Sequence, residues 1–350
     1  MKVARFVWCL FGAITSTLWV AATATASCGA VSCFVVIGSQ QQVSPAGVLT
    51  ANLVYNYTPA SPGPGGANTI PFANQQTKQL ILGNIQVDRL DTLVQTGSLD
   101  LNYGLTDRIG LEFMLPYKSV QSTGQFGPGV VSDFSDKGLG DVMAKLKYNL
   151  LPTLRSMFVL EAAVFFPTGT YQQAGANGQY AESTLQLGRG AYGFQPGFYQ
   201  TYEILPHRLN QFLQGSWRYN LRNSDGYRFG QEFTLNLGVN LVTVPWLILT
   251  EQINVRYKTK DNMEAALYQF LPPPIDRAVP IDLNVIARSV PTTDYTFVGF
   301  STGALVNLWG FAQAYFVAQI PVYRDFNGNL QQDLSFVAGM TKTFNVPTPF

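Results

Sequence analysis

From Tyr103 to Tyr117 the chain reads YGLTDRIGLEFMLPY, and Ile109, Leu111, Phe113, Leu115 and Tyr117 are apolar at every second position. Arg108, Gly110, Glu112, Met114 and Pro116 stand between them. Apolar and polar residues alternating with period two mark a strand with one greasy face. The same unit recurs beyond residue 46 as strands of about 10 to 13 residues, and twelve can be placed. The first runs from about Val48 to Tyr57, and the second carries Leu99, Leu101, Tyr103 and Leu105. Strand three is the opening stretch, four is GLGDVMAKLKYNLL, and five carries Phe158, Leu160, Ala162, Val164 and Phe166. Strand six lies near Ala191–Ile204, seven carries Leu213, Trp217, Tyr219 and Leu221, and eight alternates from Phe233 to Leu241. The last four cover Leu247–Tyr257, Tyr295–Val306, Phe311–Tyr323 and about Asp333–Phe344.

Connections after the even-numbered strands are short, as in Thr106-Asp107, LPTLR, LPHRL, TVPW and NLWG. Those after the odd-numbered strands are mostly longer, and several are rich in Pro, Gly and Asn. Short turns on one side, long loops on the other and an even strand count are the layout of a bacterial outer-membrane barrel. The expected fold is therefore all-β: a closed antiparallel transmembrane β-barrel of about 12 strands in an up-and-down meander, with both termini in the periplasm.

A water-soluble sandwich would also alternate. Its strands average about five or six residues, however, whereas roughly 9–11 are needed to cross a bilayer at a tilt. Tyr103, Tyr117, Tyr148, Tyr219, Trp246, Tyr257 and Trp309 gather near strand ends, as in an aromatic girdle. Charges sit mid-strand on the non-greasy face: Lys145, Lys147, Glu161, Arg218, Glu232 and Arg256. On a lipid face a midplane Arg or Lys costs about 2–4 kcal/mol; in a wet lumen it costs little. Glu112, Met114, Phe165 and Gln319 share that inward phase and complete the expected lumen lining. Glu251 is out of step, in phase with Leu249, Ile253 and Val255; either a neighbour covers it or the register slips. Pro116, Pro167 and Pro321 each follow a large apolar residue and fall in the inward phase. Strand termination at the outer rim is the plain reading; bulges that shape the rim or a lateral opening are the alternative.

Composition agrees with a surface not facing water alone. Charged residues are 12% of the chain, against about 25% in soluble domains, and aromatics are 13%. A net charge of +1 gives no field to steer nucleic acid. Residues 1–26 read as a signal peptide, with Lys2 and Arg5 before an apolar run and Ala24-Thr25-Ala26 as cleavage site. Residues 27–46 form an N-terminal periplasmic segment or plug, and 47–350 the barrel. Cys28 and Cys33 are placed to close a small disulfide loop in an oxidising compartment; a lipidated Cys28 is the rival reading.

Catalytic chemistry has little support. The only histidine, His207, falls in a short turn with no Ser and carboxylate in phase. No Cys/His cluster has metal-ligand spacing, and DFNGN, Asp325 to Asn329, lacks the distal Glu of a calcium loop. No enzyme, metal or cofactor is expected.

YGLTDRIGLEFMLPY, GLGDVMAKLKYNLL, FFPTGTY, LGRGAYGF and QIPVYRDFNGNLQQD together resemble the MetA-pathway of phenol degradation family, in order from about Pro45 to Phe344. The resemblance implies an outer-membrane barrel for uptake of small hydrophobic or aromatic compounds. Its implied partners are those solutes, outer-membrane lipid and the barrel-assembly machinery. The alternative is a structural or surface-binding barrel with a closed lumen. Barrels of this kind commonly end on an aromatic residue read during assembly; Phe344 and Phe350 both qualify.

Overall fold

The computed structural model describes residues 41–62, 87–126, 131–153, 155–173, 185–263, 293–308, 311–327 and 330–346. The strands are β1 (Val48–Pro62), β2 (Val87–Gly104), β3 (Ile109–Phe126), β4 (Val131–Leu139), β5 (Val142–Asn149), β6 (Ser156–Phe166), β7 (Gly193–Leu205) and β8 (Leu209–Asn220). They continue as β9 (Tyr227–Arg228), β10 (Glu232–Val244), β11 (Leu247–Lys258), β12 (Asn262–Met263), β13 (Tyr295–Leu308), β14 (Ala312–Asp325), β15 (Leu330–Gln332) and β16 (Ser335–Asn345). Sequential neighbours pair antiparallel, and β1 pairs with both β2 and β16, which closes the barrel. β4 and β5 are one traverse broken at Gly140-Asp141, and β15 extends the β16 traverse along β1. The wall is thus twelve traverses. Within the apolar band closure leaves no row of unpaired backbone groups, each of which would cost several kcal/mol in hydrocarbon; the free edge of β4 lies beyond it. β9 and β12 form a separate two-stranded sheet in the long loops.

The alternation read from the sequence sets which side chains face out. On β3, Leu111 and Phe113 are 43% and 44% exposed while Glu112 between them is 8% exposed. Leu53, Leu235, Leu237, Ile253, Phe316 and Ile320 join them in a continuous apolar exterior. That area far exceeds the patches a water-soluble monomer leaves bare. Aromatic rings edge the band: Trp217, Phe233 and Tyr257 lie side by side across β8, β10 and β11, with centroids 6.3 and 6.1 Å apart.

The barrel is uneven in height. β2 and β3 run 18 residues each, longer than the sequence pattern predicts, and part of the expected loop after β3 is strand β4. Above Tyr117 and Leu139 the outer face turns polar through Gln121, Thr123, Asp133, Ser135 and Lys137. Greasy alternation stops there, so hydrophobic phase alone could not reveal the extension. The tall strands project beyond the apolar band.

Both described ends of the chain meet at the rim that carries the short turns, where Val48 pairs with Asn345. His207 lies there with a φ of 57° and an exposed side chain. Asn327, also left-handed at 55°, sits in the Asp325 turn at the opposite rim and donates through its amide to Asp294 Oδ1 at 2.7 Å. Asp325 Oδ1 accepts from the Asn327 backbone N–H at 3.4 Å, an Asx-type turn.

Candidate functional site

The interior is the place where polar and titratable groups converge. All ten expected lining residues project inward. Glu112, Lys147, Glu161, Phe165, Arg256 and Gln319 are buried, and Met114, Lys145, Arg218 and Glu232 are partly so. Alternation puts Glu112 on β3, Lys145 and Lys147 on β5 and Glu161 on β6 into one cluster, because these strands are neighbours in register. Glu112 lies 3.2 Å from Lys145 and 2.5 Å from Lys147, and Lys145 reaches Glu161 at 3.8 Å.

Toward the long-loop rim an apolar patch follows: Met143, Ala163 and Phe165, with Met114 packed against them. Above it lies a second charged layer. Arg218 stacks on the Phe165 ring with its Cζ 3.6 Å from the centroid, and its Nε donates to Asn220 Oδ1 at 3.0 Å. Arg189 pairs with Glu232 at 2.5 Å and also donates to Asn220 Oδ1. Lys118 Nζ donates to the Leu187 carbonyl at 2.8 Å.

The facing wall carries a row of side-chain amides. Asn236 donates to Gln214 at 2.6 Å, Asn254 to Asn236 at 2.7 Å, Gln319 to Asn254 at 3.1 Å and Gln332 to Gln319 at 2.8 Å. This amide ladder crosses β8, β10, β11, β14 and β15, with Ser301 of β13 donating to Asn254. Each amide supplies both a donor and an acceptor, which lets the chain of bonds continue from strand to strand.

Near the short-turn rim, chain preceding β1 enters the lumen. Val43 packs with Val159, Tyr199 and Phe212, while the Gln42 carbonyl accepts from Asn102 Nδ2 at 2.9 Å. Ser44 and Thr50 share a 3.2 Å hydrogen bond. Beside this segment is a cavity of 430 Å³ lined by Gln42, Tyr199, Glu203, Asn210, Asn240 and Gln313, among others.

Three of the quoted sequence blocks meet at the break between β4 and β5. Asp141 accepts from the backbone N–H groups of Gly169 at 3.2 Å and Arg189 at 2.9 Å. Thr168 Oγ1 donates to the Gly140 carbonyl and accepts from Val142 N–H. Gly169 and Gly188 approach so closely that a Cβ on Gly188 would lie 2.3 Å from the Gly169 carbonyl oxygen. No larger residue fits there.

The prolines differ from the plain reading of strand termination. Only Pro167 follows the end of a strand. Pro116 lies within β3 opposite the Gly140-Asp141 break, where its carbonyl accepts from Gly140 N–H. Pro321 lies within β14, and the pairing skips Val322 beside it. A residue without an N–H is tolerated where the ladder is already irregular. Glu251 resolves without a register slip: it faces outward between Val239 and Thr302, and Thr302 Oγ1 donates to its Oε1 at 2.8 Å.

Lys118, Asp141, Arg189 and the amide ladder join the expected lining residues in the interior. Lys118 was legible from its phase, two residues after Pro116. Arg189 was not, because it sits in a loop that returns into the lumen. Cys28, Cys33, Trp309 and Phe350 lie outside the described residues. Among the described residues no group of three or more acidic, His or Cys side chains is placed to hold a metal.

A closed antiparallel barrel with an apolar exterior, aromatic margins and a charged interior is an outer-membrane β-barrel. Residues 64–254, more than half the chain, match the family described as "Putative MetA-pathway of phenol degradation", and the chain belongs to that family. In fold it is similar to the COG4313 outer membrane channel from Pseudomonas putida F1. That match has 13% identity and a TM-score of 0.61, and covers 89% of this chain and 100% of that one. Looser likenesses include the transport unit of the autotransporter AIDA-I from Escherichia coli, at 8% identity and TM-score 0.48 over 89% of this chain and 93% of that one. The CymD monoaromatic hydrocarbon channel matches at 8% identity and TM-score 0.39, over 86% and 89%. No curated protein sequence matches the chain.

Proposed function

We propose that the protein is a passive outer-membrane channel for small hydrophobic or aromatic compounds, with the short-turn rim and both termini in the periplasm. The observation that carries this reading is the way the lumen is filled. Eight strands can be filled by side chains alone, and sixteen to eighteen leave an open pore. Here twelve traverses enclose a chain segment, Gln41 to Ala46, held by Val43 and a few hydrogen bonds. A filler of this kind can leave without unfolding the wall. Residues 27–46 then act as a plug, stiffened by a Cys28–Cys33 loop, behind a signal peptide at 1–26. The patches of Met114, Met143 and Phe165 and of Tyr199 and Phe212 give an apolar solute somewhere to rest between polar layers. Phe344, exposed in β16, serves as the aromatic signal for the assembly machinery.

Removal of residues 27–44 tests the plug. Liposome swelling should run several-fold faster in the truncated protein, and equal rates would remove the plug from the account. Uptake of a neutral aromatic compound in a deletion strain, with and without the restored chain, tests the channel. A barrel with a permanently closed lumen, acting in structure or surface binding, is favoured by the fully buried Lys147, Phe212 and Gln319. It predicts no uptake and silent planar bilayers even after truncation.

A further inference from the structure

We infer that the upper lumen holds an anion site, built from Arg218 and Lys118 over the Met114–Met143–Phe165 patch, which takes an amphipathic monocarboxylate: one carboxylate on a flat apolar body. This rests on the channel reading and names the class of solute the interior would favour.

The charge arrangement carries the inference. Arg218 stands directly across from Glu232 in the β8–β10 register, yet Glu232 is occupied by Arg189. The other carboxylate within electrostatic range of Arg218 is Asp141, whose two oxygens accept the N–H groups of Gly169 and Arg189. Arg218 itself makes one hydrogen bond, through Nε to Asn220, and forms no ion pair among the described residues. Four guanidinium N–H donors on its two Nη nitrogens are left over, the forked pair that fits a carboxylate. Lys118 is similar: its ammonium meets a backbone carbonyl, not a carboxylate. The neighbouring Lys258 is matched by Asp261 at 2.7 Å. Among the described residues, the group Lys118, Arg189 and Arg218 therefore faces the two carboxylates of Asp141 and Glu232, with one positive charge in excess within that group. An uncompensated cation inside a barrel carries a desolvation penalty with no attraction to offset it. A single carboxylate would cancel that excess.

The site is also shaped. Gly193 packs against the guanidinium; a Cβ there would sit 3.2 Å from Arg218 Nε. Phe165 stacks on the guanidinium, 3.6 Å from its Cζ to the ring centroid. Arg218 is thus clamped in one orientation before any solute arrives, and a pre-oriented fork loses less entropy on binding. The same Phe165 belongs to the apolar patch with Met143 and Ala163, so charge and greasy surface are contiguous. Met114 and Met143 have flexible, polarisable side chains that adapt to aromatic rings.

The test is titration calorimetry on the full chain in lipid nanodiscs, with empty nanodiscs subtracted. The probes are 3-phenylpropionate, 3-phenylpropanol and 3-phenylpropylamine. The carboxylate should bind at least tenfold more tightly than the alcohol, about 1.4 kcal/mol, and the amine should bind weakest. Arg218→Gln and Lys118→Gln should each weaken the carboxylate by about tenfold and leave the alcohol within twofold. Heat-modifiable migration on gels reports whether each variant is folded; should Arg218→Gln fail to fold, Lys118→Gln alone decides. Absence of carboxylate binding, equal affinity for carboxylate and alcohol, preference for the amine, or indifference of the folded variants each overturns the site. Binding is read independently of transport. A bound carboxylate with no uptake sinks the channel reading alone, and uptake without carboxylate preference sinks the anion site alone.

Discussion

Glu112→Gln removes the negative charge that holds Lys145 and Lys147 together. The two lysines follow each other in phase on β5, and Glu112 separates them from mutual repulsion at 3.2 and 2.5 Å. At an effective dielectric constant near 20, the 3.2 Å contact is worth about 5 kcal/mol of attraction before desolvation. Breaking one member of a buried ionic group typically costs about 3–5 kcal/mol, because the partner is left charged and unpaired. Glu161, 3.8 Å from Lys145, and Asp100, within electrostatic reach of both lysines, remain, but the two short contacts from Glu112 are lost. Glu112→Gln is therefore expected to destabilise the barrel by about 3–5 kcal/mol. Urea unfolding in lipid vesicles, followed by tryptophan fluorescence, measures this. Adding Lys145→Met should recover part of the loss, giving a coupling energy of at least about 1.5 kcal/mol in the double-mutant cycle. A single-variant effect below about 0.5 kcal/mol, with additive double-variant behaviour, would refute the reasoning. The cluster would then be screened by lumen water and contribute nothing as a unit.

Phe113→Lys places a charge on the lipid side and should cost about 2–4 kcal/mol, whereas Asn240→Lys, which faces the 430 Å³ cavity, should stay within about 0.5 kcal/mol. The same urea assay compares them, and a reversed order would mean that the register is wrong by one residue. Asp141→Ala leaves one buried and one half-buried N–H group without its acceptor and should cost about 1–3 kcal/mol. Limited proteolysis should then cut between Gly169 and Arg189 faster than in the parent chain; an unchanged digestion rate would remove Asp141 as the anchor of that loop.

Period-two alternation by itself determined most of the wall: strand identity, the inward phase of Glu112, Lys145, Glu161 and Arg218, and the short-turn rim. It does so because one face must meet hydrocarbon and the other a polar interior, so every apolar residue reports its own orientation. Only the tertiary structure decided the rest. The extension of β2, β3 and β4 was illegible, since beyond the apolar band the outer face is polar and the greasy outward alternation disappears. The prolines could be placed inward from phase, but the bulges beside Pro116 and Pro321 depend on what the neighbouring strand does. Charge pairing was equally hidden. Sequence puts Arg218 and Glu232 in the same lumen, but Arg189, arriving from a loop, takes the carboxylate and leaves Arg218 without one among the described residues. Phase along a strand is a local property of the backbone pleat, whereas partner choice in the lumen depends on which side chains closure of the barrel brings face to face.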